Sequence, residues 1–524
     1  MSGGWVDVSR HSLSCHLFCH MHTKLKILPE QNSLRQEGAP FLEPMEWPPS
    51  REEEQPRALR ALSRIVDGGL CHRCGSCVGI CPTGVLSLDD EEYPTVQKLS
   101  ACTDCDLCVK VCPGDEFSYE STFQEKFGRT PALDDTHGEF RIAALAHATD
   151  NFLREHSTSG GLVTALLVHL LKQGKIDGAV VIQSDEEHLW KGKPVIARTE
   201  EELLRATKSK YAISPTNQVF QEILRIPGRY ALVGLPCQIH GFEKAAKLQE
   251  ALRERVVLTI GLFCHAAIEH EAFRIIWDSL GEKTKGATRF ISRIGKHPGA
   301  PHLEYDDGST YPVYFGSKKG FRPSSMEIIN ILYRLYTPSR CLTCFDGLSE
   351  FADISVGDPW MAPPEDDIRF SEGWSFALLR TARGVAAFES AESDNYISTR
   401  ALTHSEAMSC NRQMATEKRW RAFRVIETHR RQGKSIPNYG RTTEHFPRHS
   451  GMQFVETEMH MLTHIACFLP SIRGKLLRFF LGNGGYWLLW LNNKRRGVKF
   501  FVRDGVAGLK RRLFGRGVLE SHRG

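Results

Sequence analysis

Two runs of cysteine in the first quarter of the chain have a spacing that could bind iron–sulfur clusters. They read CHRCGSCVGICP from Cys71 and CTDCDLCVKVCP from Cys102, each with the pattern Cys-x2-Cys-x2-Cys-x3-Cys-Pro. In this pattern three thiolates of one loop bind three irons of a 4Fe–4S cubane, while the fourth cysteine binds the neighbouring cubane. The rule predicts two ligand sets: Cys71, Cys74, Cys77 and Cys112 for one cluster, and Cys102, Cys105, Cys108 and Cys81 for the other. Electron transfer is the chemistry that such a pair performs.

Zinc sites and a disulfide framework are the alternatives for cysteines this dense. A structural zinc needs only four ligands and usually takes them from two Cys-x2-Cys pairs with a longer gap. Disulfides belong to oxidising compartments, which do not suit iron–sulfur clusters. We therefore interpret residues 62–120 as a small α+β two-cluster ferredoxin domain. The first thirty residues lack the apolar core of a secretory signal, and no stretch reaches the ~18 apolar residues of a membrane span, so we expect a cytoplasmic protein.

Four more cysteines stand apart from the two runs. Cys237 lies in VGLPCQ, Cys264 in GLFCH, and Cys341 and Cys344 in CLTC. The first two follow predicted strands, and open α/β sheets place their functional groups at the carboxyl ends of strands. Spacing alone leaves three interpretations open: a third 4Fe–4S cluster, a tetrahedral zinc site, or buried structural cysteines.

Strands and helices alternate from about residue 138 onward. Predicted strands lie at Asp177–Ile182, Val195–Ala197, Tyr230–Leu235, Val256–Phe263 and Ile354–Val356, and predicted helices at Leu162–Lys172, Glu200–Thr207 and Ile239–Arg253. Short connections between such elements are typical of α/β folds. We predict an α/β catalytic domain with a parallel or mixed sheet over residues 138–425.

The two ends of the chain differ in composition from the middle. Residues 1–61 are polar and rich in proline, which predicts a disordered leader. The whole chain carries a net charge of +5, yet lysine and arginine greatly outnumber acids from Ser471 to Gly524. The basic amphipathic extension over 426–524 has three open interpretations: a helical cap, peripheral contact with an anionic membrane, or docking of an acidic partner. No groove-reading motif is present, so we expect no specific nucleic-acid partner.

Five segments resemble the family of coenzyme F420 hydrogenase/dehydrogenase beta subunits. In order they are STSGGLVTALLVHLLKQGKIDGAVV, ATKSKYAISPTN, YALVGLPCQIHGFEKA, GLFCH and CLTCFDGLSEFADISVGDPW. The likeness covers about Leu70 to Arg400. The family includes deazaflavin-oxidising subunits of archaeal hydrogenases, the amino-terminal part of a deazaflavin-dependent sulfite reductase, and ferredoxin-dependent reductases of chlorophyll metabolism. The resemblance implies FAD, an amino-terminal two-cluster ferredoxin, and a third 4Fe–4S cluster near the flavin. That cluster would be held by Cys237, Cys264, Cys341 and Cys344.

A flavin site follows from the same resemblance. The run Ser157-Thr158-Ser159-Gly160-Gly161 opens a predicted helix, whose free N–H groups favour an anion, although serine and threonine open many helices without a ligand. The resemblance implies FAD contacts in that run and in two further segments: Lys208-Ser209-Lys210-Tyr211, and the turn with Gly234 and Pro236 that carries Cys237 beside the isoalloxazine.

Two points of the flavin region stay open. Asp358, in Gly-Asp-Pro-Trp, is either a turn former or a polar group at the mouth of the site. Many family members carry an Arg-Lys-Gly pattern where this chain reads ISRIGKHPGAPHLEY. Whether Lys296 replaces that pattern is open, and no catalytic residue is assigned.

These features predict an iron–sulfur flavoprotein oxidoreductase. It would pass electrons between a hydride substrate such as coenzyme F420 at FAD and one-electron carriers at the 4Fe–4S clusters. The expected partners are a small-molecule hydride donor or acceptor and a redox protein, either a ferredoxin or a larger oxidoreductase complex. The alternatives are a ferredoxin-dependent reductase of a tetrapyrrole or cell-surface sugar intermediate, a non-catalytic electron relay, and a structural or regulatory iron–sulfur protein.

Overall fold

The structure is a computed structural model that describes residues 55–132, 135–295, 299–313, 325–361, 370–440 and 470–482, with the backbone alone at 325–328 and 470. The leader up to residue 54, Lys296, and residues 441–469 and 483–524 of the basic extension lie outside the described residues. Over the described ranges, every helix is too short or too polar to span a bilayer.

The amino-terminal unit consists of short elements around the eight cysteines. They are α1 (Arg57–Asp67), α2 (Ser76–Ile80), β1 (Leu86–Leu88), β2 (Pro94–Val96), α3 (Leu107–Lys110) and α4 (Tyr119–Phe127), with β1 and β2 antiparallel. Each cysteine run folds into a loop followed by a short helix, α2 or α3, and its fourth cysteine lies just beyond that helix. Helix α1 starts before residue 62 and buries Leu59 and Leu62 against Val85 and Val96.

An eight-stranded mixed sheet forms the centre of the molecule, with the order β13-β3-β12-β11-β7-β6-β4-β5. Its strands are β3 (Ile142–Ala148), β4 (Gly178–Ser184), β5 (Gly192–Ala197), β6 (Tyr230–Gly234), β7 (Val256–Leu262), β11 (Ile354–Gly357), β12 (Ser375–Leu379) and β13 (Ile397–Ala401). Strands β4, β6, β7 and β11 run parallel, while β5, β12 and β13 pair antiparallel with their neighbours. The predicted fold class, a mixed-sheet α/β domain after a small ferredoxin unit, is confirmed.

Helices cover both faces of this sheet. They are α5 (Asn151–His156), α6 (Leu162–Lys172), α7 (Glu200–Arg205), α8 (Phe220–Arg225), α9 (Pro236–Leu248), α10 (Glu250–Arg255), α11 (His270–Leu280), α12 (Ser325–Tyr336), α13 (Ser339–Leu342), α14 (Ala382–Ser393), α15 (His404–Ser409), α16 (Arg412–Arg431) and α17 (Pro470–Leu481). Along β6, Ala231 and Val233 pack on the face covered by α6, whereas Leu232 packs on the face covered by α9. This alternation is what a strand buried on both faces requires.

The amino-terminal unit is docked on the α9 face of the sheet. Phe117, Tyr119 and Phe123 belong to the same buried cluster as Ile239 of α9 and Phe423 of α16. The backbone N–H groups of Phe117 and Tyr119 donate to the carbonyls of residues 438 and 439, at 2.8 and 3.1 Å. The cysteine loops are therefore held against the sheet domain by a shared core.

A second, antiparallel sheet lies beside the main one. It contains β8 (Ala287–Ile294), β9 (Ala300–Tyr305) and β10 (Thr310–Pro312) in the order β10-β9-β8. Helix α17, the described part of the basic extension, packs Leu477 into the same core as α11 and α12. The opposite face of α17 leaves Ile472 and Phe479 exposed.

Candidate functional site

Four loops that carry predicted site residues meet at the carboxyl edge of the main sheet. Strands β3 and β11 both pair antiparallel with β12, so their carboxyl ends point the same way as those of β6 and β7. Cys237 lies in the first turn of α9 just after β6, and Cys264 lies two residues beyond the end of β7. The prediction that both cysteines follow strands is confirmed.

The first ligand set lines a small cavity in the amino-terminal unit. Cys71, Cys74, Cys77 and Cys112 all line it. Burial and the neighbouring Cys112 thiolate raise the pKa of Cys71 to about 12, and the same two causes raise that of Cys74 to about 11. Thiols this hard to ionise become ligands only when a metal replaces their protons. The cavity therefore joins three cysteines of the first run to the last cysteine of the second, as the spacing rule requires.

The second set lies nearer to the surface. Burial, and then the thiolates of Cys81, Cys105 and Cys102, raise the pKa of Cys108 to about 12. Cys105 is exposed, whereas Cys81 and Cys108 are buried. The charges of the second predicted set thus interact with one another, and one member reaches solvent.

The remaining four cysteines come together from three segments. Burial raises the pKa of Cys237 well above its usual range, and the thiolates of Cys74, Cys344, Cys264 and Cys341 raise it further. Burial and the Cys341 and Cys344 thiolates raise the pKa of Cys264 to about 12, although Lys418 acts in the opposite direction. In the described part of the chain, no group of His, Cys, Asp or Glu side chains is placed to hold a single metal ion.

Arg340 links the first cysteine group to the third. It immediately precedes Cys341, its side chain is buried, and its Nε donates to the Leu70 carbonyl at 3.0 Å. Its Nη2 donates to the Gly114 carbonyl, also at 3.0 Å. Leu70 precedes Cys71, and Gly114 follows Cys112 by two residues. One guanidinium therefore holds both ends of the first cysteine group against the CLTC loop.

Asn217 makes a second link between the same groups. Its backbone N–H donates to the Cys74 carbonyl at 2.9 Å, and its Nδ2 donates to Ser76 Oγ at 2.9 Å and to the Gln238 carbonyl at 2.8 Å. Gln238 directly follows Cys237. The loop of the first group and the helix that carries Cys237 are thus fixed to one side chain.

Buried cations of α16 approach the third cysteine group. Lys418 Nζ donates to the Cys264 carbonyl at 2.6 Å. Arg421 donates to the His265 carbonyl at 3.1 Å, and both cationic side chains are almost fully buried. Burial alone would lower the pKa of Lys418, but the thiolates of Cys344 and Cys264 raise it on balance. These residues could not be predicted from the sequence, because a basic helix with no motif carries no signal of what it packs against.

The Ser157–Gly161 run lies between α5 and α6 at the same edge of the sheet. Ser159 Oγ donates to Asp358, and the Asp358 carboxylate pairs with Arg293 at 2.7 Å. Asp358 is therefore more than a turn former, since it holds the serine run against β8. Arg293 lies in ISRIGK, three residues before Lys296. No motif in the sequence marks this arginine as part of the site.

The second flavin-related segment contacts the first. The backbone N–H of Ser209 donates to Thr158 Oγ1 at 3.1 Å, and Lys208 Nζ donates to the Glu155 and Ser157 carbonyls, each at 3.0 Å. Burial, followed by the nearby charges of Arg289 and Arg293, lowers the pKa of Lys208 to about 8.

The other predicted flavin residues lie close to these. Lys210 Nζ donates to the Thr207 carbonyl at 2.9 Å, and burial followed by Arg289 lowers its pKa to about 7. Burial raises the pKa of Tyr211. Gly234 ends β6 and Pro236 begins α9, directly before Cys237.

The serine run has the features of an anion site. Ser157 Oγ is buried and has no hydrogen-bond partner among the described residues. It lies beside the amino terminus of the eleven-residue helix α6, where free N–H groups favour negative charge. A Cβ at Gly160 would lie 2.6 Å from the Gly373 carbonyl oxygen, so internal packing already accounts for that glycine. The unpartnered hydroxyl and the surrounding cations fit a phosphate group.

Sequence models of known families match three parts of the chain. Residues 64–113 match a 4Fe-4S dicluster domain, and residues 143–221 and 228–405 match the amino-terminal and carboxyl-terminal domains of the coenzyme F420 hydrogenase/dehydrogenase beta subunit. The chain belongs to this family of beta subunits. The predicted family and the iron–sulfur nature of the amino-terminal unit are thereby confirmed. Helix α16 lies beyond the last matched residue of the carboxyl-terminal domain.

Three curated relatives of this family member have names that refer to coenzyme F420 or to its reduced form. It is 30% identical over 340 residues to the coenzyme F420-dependent sulfite reductase of Methanocaldococcus jannaschii, an alignment that spans 62% of this chain and 46% of the relative. It is 26% identical to the coenzyme F420 hydrogenase beta subunit, from Methanosarcina barkeri, over 55% of this chain and 92% of the relative. It is also 26% identical to one of the subunits of the F(420)H(2) dehydrogenase of Methanosarcina mazei, over 63% of this chain and 84% of the relative. The chain thus spans less than half of the sulfite reductase.

Proposed function

We propose that this protein is an iron–sulfur flavoprotein oxidoreductase that connects a two-electron substrate to a one-electron partner. FAD exchanges a hydride as a pair of electrons, and a 4Fe–4S cluster carries electrons singly. The observation that carries the proposal is the spatial arrangement of the three cysteine groups, which lie next to one another between the sheet and the protein surface. The charge of Cys237 in the third group interacts with that of Cys74 in the first group. The second group shares its two cysteine runs with the first, and its member Cys105 is exposed to solvent.

We propose a 4Fe–4S cluster at each of the three groups. The chain's own residues supply rigidity and burial: Arg340 and Asn217 hold the first and third groups together, and the shared core excludes water. The exposed Cys105 is where we place the contact with a one-electron partner. That partner is a ferredoxin or a larger oxidoreductase complex, and two of the relatives are named as subunits. We propose the cytoplasm as its location, because exposed cluster cysteines need a reducing compartment.

We propose that the phosphates of FAD lie at the amino terminus of α6. Ser157 Oγ and Thr158 would orient them, Lys208 would balance their charge, and the Gly234–Pro236 turn would bring Cys237 close to the flavin ring. The hydride partner is a small molecule such as coenzyme F420, for which all three relatives are named.

The flavin site should respond to pH through Lys208. Because its pKa is lowered to about 8, this lysine is charged below that pH and loses its charge as the pH rises. Affinity for FAD is therefore expected to fall above about pH 8. Lys208→Met should bind FAD roughly tenfold or more weakly at pH 7, which corresponds to the loss of one charge-assisted contact. It should also lose the fall in affinity near pH 8, leaving only the titration of Lys210, whose pKa is about 7.

Fluorescence titration of the flavin-depleted protein between pH 6.5 and 9.5 measures this. Lys175→Met, which removes an exposed lysine of the α6–β4 connection, should behave as wild type. An equal affinity for FAD in wild type and Lys208→Met across the whole range would exclude Lys208 from the site.

Anaerobic purification, cofactor analysis and a donor screen test the function as a whole. We expect about twelve irons and one FAD per chain, and stopped-flow bleaching of the flavin by reduced coenzyme F420. About twelve irons without FAD would instead indicate an electron relay. Reduction by reduced ferredoxin but not by reduced coenzyme F420 would favour a ferredoxin-dependent reductase of an organic substrate. A protein that no donor reduces would be structural or regulatory.

A further inference from the structure

We infer that Lys418 sets the reduction potential of the cluster held by Cys237, Cys264, Cys341 and Cys344. This inference rests on the proposed function, because it needs a cluster at that position. Lys418 lies on α16, beyond the residues that match the carboxyl-terminal domain of the family. Lys418 would not bind iron. Its positive charge would stabilise the electron that the cluster gains on reduction.

The ammonium of Lys418 is directed at the third cysteine group. The residue is 1% exposed, and Nζ lies 2.6 Å from the Cys264 carbonyl oxygen. Its charge interacts with the thiolates of Cys344 and Cys264, and less strongly with the carboxylate of Asp346. Its stem is in reach of the loop that follows Cys344, since a Cβ at Gly347 would lie 3.6 Å from Lys418 Cδ. The position of this cation is therefore fixed by the packing of α16, and not by the rotamer of a free surface side chain.

Two buried acids of the loop that follows Cys344, Asp346 and Glu350, already have other partners. Asp346 Oδ2 accepts from His240 Nε2 and from the Glu350 backbone N–H, each at 3.0 Å, and its Oδ1 accepts from the Leu348 N–H at 3.1 Å. Glu350 accepts from Arg419. Two other buried cations of α16 lie beside the cysteine loops. Arg421 donates to His265, and the guanidinium of Arg419 lies 5.6 Å from the centre of the Phe345 ring, next to Cys344. No carboxylate in this part of the described structure forms an ion pair with Lys418 within salt-bridge distance.

Physical chemistry sets the direction of the effect. A cluster gains one negative charge on reduction, and an ammonium in a water-poor site stabilises that charge more strongly than it would in solvent. Removing the cation should disfavour reduction. We expect Lys418→Met to lower the equilibrium constant for reducing this cluster by roughly tenfold or more, which is a fall of about 59 mV for a one-electron couple.

The test is an EPR-monitored redox titration of the anaerobically purified holoprotein. The signal of the third cluster is identified by its absence from Cys237→Ala. Lys418→Met should shift the potential of that signal alone and keep about twelve irons per chain. Lys418→Arg keeps the charge and should restore a potential near that of wild type. Arg412→Met, an exposed position on the same helix, should leave all three signals unchanged.

The outcomes separate this inference from the proposed function. Wild-type protein with only about eight irons would remove the third cluster and the inference with it. About twelve irons with an unchanged potential in Lys418→Met would overturn the inference and leave the cluster in place. If Lys418→Met loses iron, Lys418→Gln is titrated in its place, because glutamine keeps a hydrogen-bond donor but carries no charge. A lowered potential there supports the inference, and an unchanged one overturns it.

Discussion

Cys237→Ala is expected to lower the iron content from about twelve to about eight atoms per chain and to stop electron exchange between the flavin and the ferredoxin clusters. The reason is position, since Cys237 is the thiol whose charge interacts with all three other members of its group and with Cys74 of the next group. Alanine is a good helix former, so α9 should still begin at Pro236. The two ferredoxin signals should persist in EPR spectra after chemical reduction with dithionite, while flavin reduced by a hydride donor should no longer pass electrons to them.

Cys410→Ala is the matched control for this variant. Cys410 is also a buried free cysteine, but its Sγ lies 3.0 Å from Asn411 Oδ1, and burial is the main cause of its raised pKa, with no thiolate among the causes. It should keep about twelve irons and normal electron exchange. Full iron content in Cys237→Ala would show that these four cysteines hold no cluster, and the proposed function would lose its inner link.

Arg340→Gln is expected to separate the first and third cysteine groups. The change leaves the buried carbonyls of Leu70 and Gly114 without their donor, and each unsatisfied buried group costs about 1–3 kcal/mol. We expect the melting temperature of the anaerobic holoprotein to fall by roughly 5 °C or more. Electron transfer from the flavin side to the ferredoxin clusters should slow as well, because the loops of Cys71 and Cys112 are no longer tied to the CLTC loop.

Scanning calorimetry and stopped-flow absorbance measure the two effects of Arg340→Gln. Arg253→Gln removes an exposed arginine that pairs only with the nearby Glu250 among the described ion pairs, so it should change neither measurement. A loss of stability with an unchanged electron-transfer rate would make Arg340 a purely structural residue. Unchanged stability would show that water replaces its hydrogen bonds.

Several parts of the site could be predicted from local sequence. The two cysteine runs follow a fixed spacing rule, and the pairing of Cys112 with the first group follows from that rule without any knowledge of the fold. The strands that lead to Cys237 and Cys264 are short apolar runs, which a buried strand requires. The Ser157 and Lys208 segments were identified through family resemblance, and the structure brings them into contact.

Other parts had no local signal. Arg293 and Asp358 pair across 65 positions of sequence, and Lys418 meets the Cys264 carbonyl across 154. Nothing in a basic stretch such as KRWRAFRV tells which of its cations will be buried. Spacing alone also left the four later cysteines open among a cluster, zinc and structural roles, because they lie on three separate segments.

The amino-acid sequence alone specifies the iron–sulfur chemistry, the α/β class and the family of this protein. These properties depend on short motifs and on the alternation of apolar residues, which act over a few positions of the chain. The tertiary structure alone determines the spatial order of the three cysteine groups. It also determines the hydrogen bonds by which Arg340 links two of these groups and the position of the Lys418 ammonium. They arise where α9, α13 and α16 pack at one edge of the sheet, and packing between distant segments is settled by the shared core rather than by any one segment.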